Sequence, residues 1–386
     1  MTFYEFVRID WQKIENIETK MKHKQYLFCP GPVMVSETVR QALLHPDMCH
    51  RVPQFEKIFQ DIQKKLLTLF KANNDYTVLL ITGSGTAANE TVISSYFNPE
   101  DQVLLISNGE FGERLEELLQ IHEIKATVLS YDWGTLPEVA EIETKLQKMP
   151  EISAVMMVFH ETSTSVVNPV NRVGELARRY GKSYIVDAVS ALGGEDVNVV
   201  RDNIDICTSS SNKCLAGLPG VGIICAKKDR LAATKSNRIR VAYLNLHRLY
   251  RMSETLHQTP NTPSVTMFIA LQAALKRLFD EGLETQIERY RRCARIIREG
   301  IRKMNLKLLI DDEIASNTLS SVFLPAEIPM GEFIAKLEDK GFTVYSGKGP
   351  LKPRNMFQVA NMGEIDEEMC YAFLQTMSET LVEYST

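Results

Sequence analysis

The sequence predicts an α/β protein: a large domain on a mostly parallel seven-stranded sheet, followed by a smaller α+β domain. Three observations predict it. Seven short apolar, β-branched runs recur between residues 76 and 226. Amphipathic stretches separate the first five, the pattern of a parallel sheet covered on both faces. Beyond about residue 264 the alternation gives way to a long helical stretch and then to shorter strands and helices.

Residues 1–25, MTFYEFVRIDWQKIENIETKMKHKQ, carry charge throughout and read as an N-terminal extension, with the spacing of one amphipathic helix. They have neither the apolar core of a signal peptide nor a run long enough to span a bilayer, so a cytoplasmic protein is expected. LFCPGPVMVSETVRQALL (27–44) reads as a Pro-Gly-Pro loop leading into a helix capped near Ser36. The strands are YTVLLIT (76–82), QVLLIS (102–107), KATVLSY (125–131), SAVMMVF (153–159), KSYIVDA (182–188), IDICTSS (204–210) and GVGIICA (220–226). A short Gly-Pro loop joins the last two, which predicts an antiparallel partner there. GERLEELLQ and RVGELARRYG have helical periodicity, as does the whole stretch 264–304. SSVFLP, GEFIAKLEDKG, FTVYSG and MFQVAN then supply the second domain, so the expected division is 26–264 and 265–386.

The bulk numbers exclude several classes. With 44 basic and 49 acidic residues the net charge is −5, and no basic stripe with interleaved aromatics appears, so no nucleic-acid partner is expected. The 7 cysteines, at 29, 49, 207, 214, 225, 293 and 370, form no CxxC pair and read as free thiols in a reducing compartment. Cysteine and histidine are too dispersed for a metal site. His160 and His257 are read as neutral, hydrogen-bonded residues.

GSGTAANE (83–90) directly follows a strand and opens a helix. Glycines there let the backbone approach a ligand, and the free N–H groups of a helix start favour an anion. The same segment also reads as a tight strand-to-helix turn, and Gly83, Gly85 and Ala88 satisfy a dinucleotide spacing. Asp187 ends the apolar strand KSYIVD, at the rim where open α/β sheets bind ligands; its plainer reading is a cap on the next turn. Lys213 lies in SSSNKCLAGLPG, just after another strand. A lysine desolvated in such a place suits Schiff-base chemistry, whereas a single lysine is most often a solvated surface residue. The combination decides. A pyridoxal cofactor needs a lysine, an acid facing its ring nitrogen, a phosphate cradle and a flat group against the ring. The cradle, Asp187 and Lys213 follow in that order at predicted strand ends, and Phe111 in NGEFGER reads either as a ring to stack on the cofactor or as simple core packing.

Together, the Pro-Gly-Pro loop, GSGTAANE, NGEFGER, HETSTSVVNPV, VDAVSALGG and SSSNKCLAGLPGVG resemble the class V aminotransferases over about residues 25–375. They are most similar to the branch of 2-aminoethylphosphonate–pyruvate transaminase and the alanine– or serine–glyoxylate aminotransferases. The resemblance implies the type I fold of pyridoxal 5′-phosphate (PLP)-dependent transferases. It also implies roles at the matched positions. Lys213 would carry the cofactor and shuttle the substrate proton, while Asp187 keeps the pyridine nitrogen protonated. Ser84, Gly85 and Thr86 would hold the phosphate, with Asn212. Phe111 and Val189 would sandwich the ring, and Ser163 would hydrogen-bond near it. Thr262, in QTPNTPSV, falls where the family reaches the partner's phosphate, so a homodimer with shared sites is expected.

One departure matters. Where family members carry an arginine that grips the substrate's acid group, MFQVANMGEID has Gln358. A neutral amide lacks the charge-assisted fork. Arg354 or Arg51, the latter in CHRVPQF, is expected to stand in, unless the pocket takes a less acidic or larger substrate. CHRVPQF leans toward the glyoxylate branch, VDAVSALGG and SSSNKCLAGLPGVG toward the phosphonate one. The leading expectation is amino transfer from a small amine or amino acid, an aminophosphonate among them, to pyruvate or glyoxylate. A PLP-dependent lyase or decarboxylase is the alternative. A nicotinamide dehydrogenase built on GSGTAA, or a silent regulator keeping the fold, is a further one.

Overall fold

The computed structural model describes residues 25–237 and 239–384. The extension 1–25, read above as a helix, therefore lies almost wholly outside the described residues.

The chain begins with β1 (Tyr26–Leu27), α1 (Glu37–Gln41) and α2 (Pro53–Leu69). Ser36 is the N-cap of α1, its hydroxyl accepting from the Val39 N–H. The alternating core follows as β2 (Tyr76–Thr82), α3 (Gly85–Tyr96), β3 (Gln102–Ser107), α4 (Glu110–Ile121), β4 (Lys125–Ser130), α5 (Val139–Lys148) and β5 (Ile152–Val158). After the small hairpin β6 (His160–Glu161) and β7 (Val166–Val167) come α6 (Val170–Arg179), β8 (Ser183–Asp187), β9 (Ile206–Ser210) and β10 (Val221–Lys227). Seven of these strands form one sheet in the order β2-β10-β9-β8-β5-β3-β4. From β9 through β8, β5 and β3 to β4 the pairs are parallel; β10 alone runs antiparallel to both neighbours. β2 therefore points the same way as β9, and six strands deliver their carboxyl ends to one edge.

Alternation along each strand builds two cores. Val78, Leu80, Leu104 and Ile106 pack with Phe55 and Phe59 of α2 on one face. Leu79, Ile81, Val103 and Leu105 pack with Val92 of α3 and Leu115 of α4 on the other. Burial of this kind is worth roughly 1.5–3 kcal/mol per large side chain.

Next come α7 (Lys228–Ala233), α8 (Leu246–Leu256), α9 (Val265–Glu281) and α10 (Leu283–Lys303). The expected single stretch 264–304 is thus two helices. They part at Gly282, whose φ of +91° no helix accepts. The remaining elements are β11 (Lys307–Leu308), β12 (Leu319–Phe323), α11 (Met330–Asp339), β13 (Phe342–Thr343), β14 (Tyr345–Ser346), β15 (Met356–Ala360) and α12 (Glu367–Val382). β11-β12-β15-β14 make a second, four-stranded sheet.

Packing does not divide at the expected boundaries. Phe268, Leu271, Leu275 and Leu278 of α9 belong to the core of the large sheet. Conversely, β1 pairs with β13, and Phe28 and Met34 sit in the core of the second sheet. The entering segment is held there because Phe28 stacks on Phe373 at 4.6 Å. As a result the Pro-Gly-Pro loop crosses between the two sheets. Among the described residues no helix is long and apolar enough to cross a membrane.

Candidate active site

The carboxyl ends of β2, β3, β5, β8 and β9 meet the Pro-Gly-Pro loop and the second sheet, and the site is built there. After β2 the chain turns at Gly83 (φ +156°) and α3 starts with Ser84 as N-cap. The Ser84 side chain makes no cap hydrogen bond, so the first-turn N–H groups lack a side-chain partner. Ser84 is exposed and Thr86 half-buried, while Gly85 is buried against Val189. A Cβ on Gly85 would come within 2.6 Å of Val189 Cγ2.

Asp187 ends β8 with its carboxyl buried. Oδ1 accepts from the Val189 N–H at 2.8 Å and Oδ2 from Asn89 Nδ2 at 2.6 Å. Asn89 lies one turn into α3, and Thr208 Oγ1 fixes it by donating to its Oδ1 at 2.5 Å. Burial pushes the Asp187 carboxyl up, and these hydrogen bonds pull it back toward the ionised form.

Lys213 follows β9. Its Nζ donates to the carbonyl of Pro30, and a Cβ on Gly31 would lie 2.8 Å from that nitrogen. Burial above all brings the amine down to about 8, with the charge of Lys348 acting in the same direction. Lys348 reaches the site from the loop after β14. Its Nζ lies 3.0 Å from Glu110 Oε1 and 5.6 Å from the centroid of the Phe111 ring. The Arg114 guanidinium lies 4.8 Å from the same centroid.

Phe111 is held at the start of α4 by a buried carboxylate. Glu161 accepts from the N–H groups of Phe111 (3.3 Å) and Gly112 (3.2 Å), and from Ser163 Oγ (2.6 Å). Burial still raises the Glu161 carboxyl to about 7. Ser163 Oγ also accepts from the Glu110 N–H at 3.1 Å. Its hydroxyl proton is therefore used within the protein, and only a lone pair is left for a ligand. Asn212 is half-buried and its amide bonds none of the described residues. His160 is buried, bonded through Nδ1 to the Ser190 carbonyl, and lowered by burial to about 4, so it is neutral.

The three substrate candidates separate. Gln358, on β15, is buried beside this cluster and donates from Nε2 to the Thr162 carbonyl at 2.6 Å. Arg354 is exposed and stacks 4.9 Å over Phe323, which pairs with Met356, two positions along the β12–β15 ladder from Gln358. It lies in the turn that precedes β15, four residues before Gln358. Arg51 donates to Gln258 Oε1 (2.5 Å) and to the carbonyls of Thr259 (3.0 Å) and Pro260 (3.4 Å). It braces the loop that carries the exposed Thr262.

Sequence reasoning missed Asn89, Glu161 and Lys348. Asn89 had a signal, lying one helical turn beyond the cradle on α3. Lys348, far along the chain and flanked by two glycines, had none. The residues present fit a phosphorylated pyridine. An uncapped helix start, a buried carboxyl kept ionisable, an amine near neutrality and a half-buried Phe ring share one edge. The close approach of Gly85 to Val189 is what lets the cradle meet the ring's place.

Comparison with known proteins bears on the same site. The family model Aminotransferase class-V matches residues 36–362. An uncharacterized aminotransferase of Methanocaldococcus jannaschii is 36% identical over 361 residues, covering 93% of each chain. The 2-aminoethylphosphonate–pyruvate transaminase of Salmonella schwarzengrund is 35% identical over 353 residues, 89% of this chain and 95% of that one. Among solved structures, ureidoglycine–glyoxylate aminotransferase from Bacillus subtilis is similar at a TM-score of 0.87 and 28% identity, covering 94% of both chains.

Proposed function

The chain belongs to the class-V aminotransferases, a PLP-dependent family, and from that premise we propose that it moves an amino group from a small amine or amino acid to pyruvate or glyoxylate, with Lys213 as the catalytic amine. The observation that carries this assignment is the Lys213 amine, brought by burial to about 8 at the rim of the sheet.

Pyridoxal 5′-phosphate supplies the aldehyde that takes up the amino group and a ring that delocalises the electron pair released at the substrate carbon. The chain's own residues do the rest. The start of α3, with Ser84, Gly85 and Thr86, binds the phosphate through free N–H groups and the helix dipole. Asn212 adds an amide to it. Asp187, raised by burial and drawn back toward the ionised form by the Val189 N–H and Asn89, holds the proton of the ring nitrogen. Phe111 and Val189 exclude water from the two ring faces, and Ser163 offers a lone pair at the ring edge. Lys213 Nζ, with an appreciable neutral fraction near pH 7, takes the proton from the substrate carbon and returns it.

A homodimer belongs to this reading. Thr262 is exposed on the loop braced by Arg51, where it would meet the partner's phosphate. A cytoplasmic setting also goes with it, supported by the seven cysteines, all free.

The test is spectroscopic. Protein loaded with the cofactor should absorb in the visible, and the band should move on adding a donor and return on adding pyruvate or glyoxylate. Lys213→Ala should give neither change. A wild-type protein that binds the cofactor yet converts no amine, across a panel of small donors, defeats the assignment.

A further inference from the structure

Gln358 stands directly opposite Tyr345 of β14 and Ser321 of β12. Residues opposite one another in antiparallel strands share a face. On that face the Tyr345 hydroxyl reaches the Gly31 carbonyl at 3.3 Å, and Gly31 packs on Lys213. Gln358 therefore belongs to the wall that looks toward the reactive amine.

The direction of its amide is fixed. Nε2 lies 2.6 Å from the Thr162 carbonyl, which can only accept, so the nitrogen and not the oxygen must be there. Thr162 is itself held, its Oγ1 donating to Ser190 Oγ at 2.6 Å. What Gln358 turns the other way is Oε1. Nothing among the described residues donates to that oxygen, and it is not one of the buried side-chain atoms sealed off without a partner. The side chain as a whole is only 1% exposed. Oε1 is thus an acceptor without a donor on an almost wholly buried side chain.

The charges around it do not offset an acid. Lys348 is paired with Glu110. Arg298 donates to the carbonyls of Ser316 and Leu319 and to Ser320 Oγ, and Ser320 faces away from the side that carries Ser321 and Gln358. His160 is neutral.

Resting on the aminotransferase reading, we infer that Gln358 selects amino donors whose far end carries an uncharged hydrogen-bond donor, a carboxamide or hydroxyl group, over those ending in a carboxylate or phosphonate. A neutral donor satisfies Oε1. An ionised acid brings lone pairs against it in a place shielded from water, and leaves Oε1 unpaired as well.

The experiment compares 3-aminopropanamide with 3-aminopropanoate, an isosteric pair, with 2-aminoethylphosphonate as a second acid. The cofactor's spectral change is followed in wild type, Gln358→Arg and Gln358→Met. Wild type should use the amide with a kcat/KM about tenfold higher, the size of one well-placed hydrogen bond. Gln358→Arg should reverse the order, and Gln358→Met, which keeps the volume and removes the acceptor, should bring the ratio close to one. A wild type that prefers either acid, or a ratio unmoved in Gln358→Met, overturns the inference. Binding of the amine-free pair, propanamide and propanoate, to cofactor-loaded wild type gives a reading that needs neither turnover nor a variant. Propanoate binding as tightly as propanamide also overturns it. Preference for propanamide without conversion of any amine leaves the polarity of the wall established and removes the aminotransferase assignment instead.

Discussion

Asn89 Nδ2 lies 2.6 Å from Asp187 Oδ2, and Thr208 Oγ1 lies 2.5 Å from the same amide's oxygen. The pair joins α3, which presents the phosphate cradle, to β8, which presents the ring acid. A threonine on β9, the strand that leads to Lys213, sets the amide's orientation. Three functions of the site are thereby held in one hydrogen-bonded line through the top of the sheet.

Asn89 is accordingly expected to act through Asp187. Asn89→Ala removes a hydrogen bond to a buried carboxylate, worth about 2 kcal/mol, or roughly thirtyfold in cofactor affinity or kcat. Loss of a bond that favours the ionised form raises the Asp187 pKa further, so the acid limb of the activity profile should move to higher pH. Equilibrium binding of the cofactor and a pH–rate profile check this. A variant that is only less stable, with its acid limb unmoved, would mean that Asn89 merely packs.

The charge of Lys348 should bear on the titration of Lys213. At pH 7 an amine near 8 is about one-tenth neutral, against far less for one near 10.5. Capture of pyridoxal phosphate by cofactor-free protein should therefore rise with pH around a midpoint near 8. Removing the Lys348 charge makes protonation of Lys213 easier, so Lys348→Gln should shift that midpoint upward. The same rate series measures both, and a midpoint that stays put or falls in Lys348→Gln counts against coupling between the two amines.

Much of this was legible in the sequence. The strands declared themselves because their runs are apolar on both faces, and their ends placed Asp187 and Lys213 at one rim. The antiparallel β10 followed from a loop too short for a crossover. GSGTAA also satisfied a dinucleotide spacing, and the class-V match removes that reading. What was not legible depends on partners far away in the chain. Gln358 could be seen to replace an arginine, but the direction of its amide is set by Thr162. Arg51 and Arg354 had the right charge, and only the fold shows one bracing a loop and the other lying on Phe323. The packing of residues 26–34 with the second sheet is likewise invisible locally, since a two-residue strand has no periodicity.

Glu161 should make stability depend on pH in a particular direction. Its carboxyl titrates near 4.5 when unfolded and is raised to about 7 in the fold. Between those values the folded protein keeps a proton that the unfolded chain has lost. The contribution is thus complete below about 4.5 and disappears as pH climbs through about 7. Glu161→Gln has no such proton, and its one oxygen must serve the donors that two oxygens served, so it should be less stable throughout. The gap between wild type and variant should be wider at pH 5 than at pH 7.5 in urea denaturation. Parallel curves at the two pH values would place the Glu161 titration outside this window.

The contact between Gly85 and Val189 makes the sharpest steric prediction. A Cβ at position 85 would meet Val189 Cγ2 at 2.6 Å and Cγ1 at 2.9 Å, distances that real carbon atoms do not tolerate. Gly85→Ala must therefore push α3 away from the turn after β8 or drive Val189 into the ring's place, and either movement separates the cradle from the acid. Cofactor affinity should fall by about fivefold or more, at the 1–3 kcal/mol typical of overpacking, while the sheet beneath stays folded. Val189→Ala takes away both γ methyl groups. If the clash is the cause, Gly85→Ala with Val189→Ala should bind the cofactor better than Gly85→Ala alone, even though Val189→Ala by itself weakens the ring's packing. Such a recovery is the signature of two residues in contact, and strict additivity of the two losses would show that Gly85 serves the phosphate through its backbone alone.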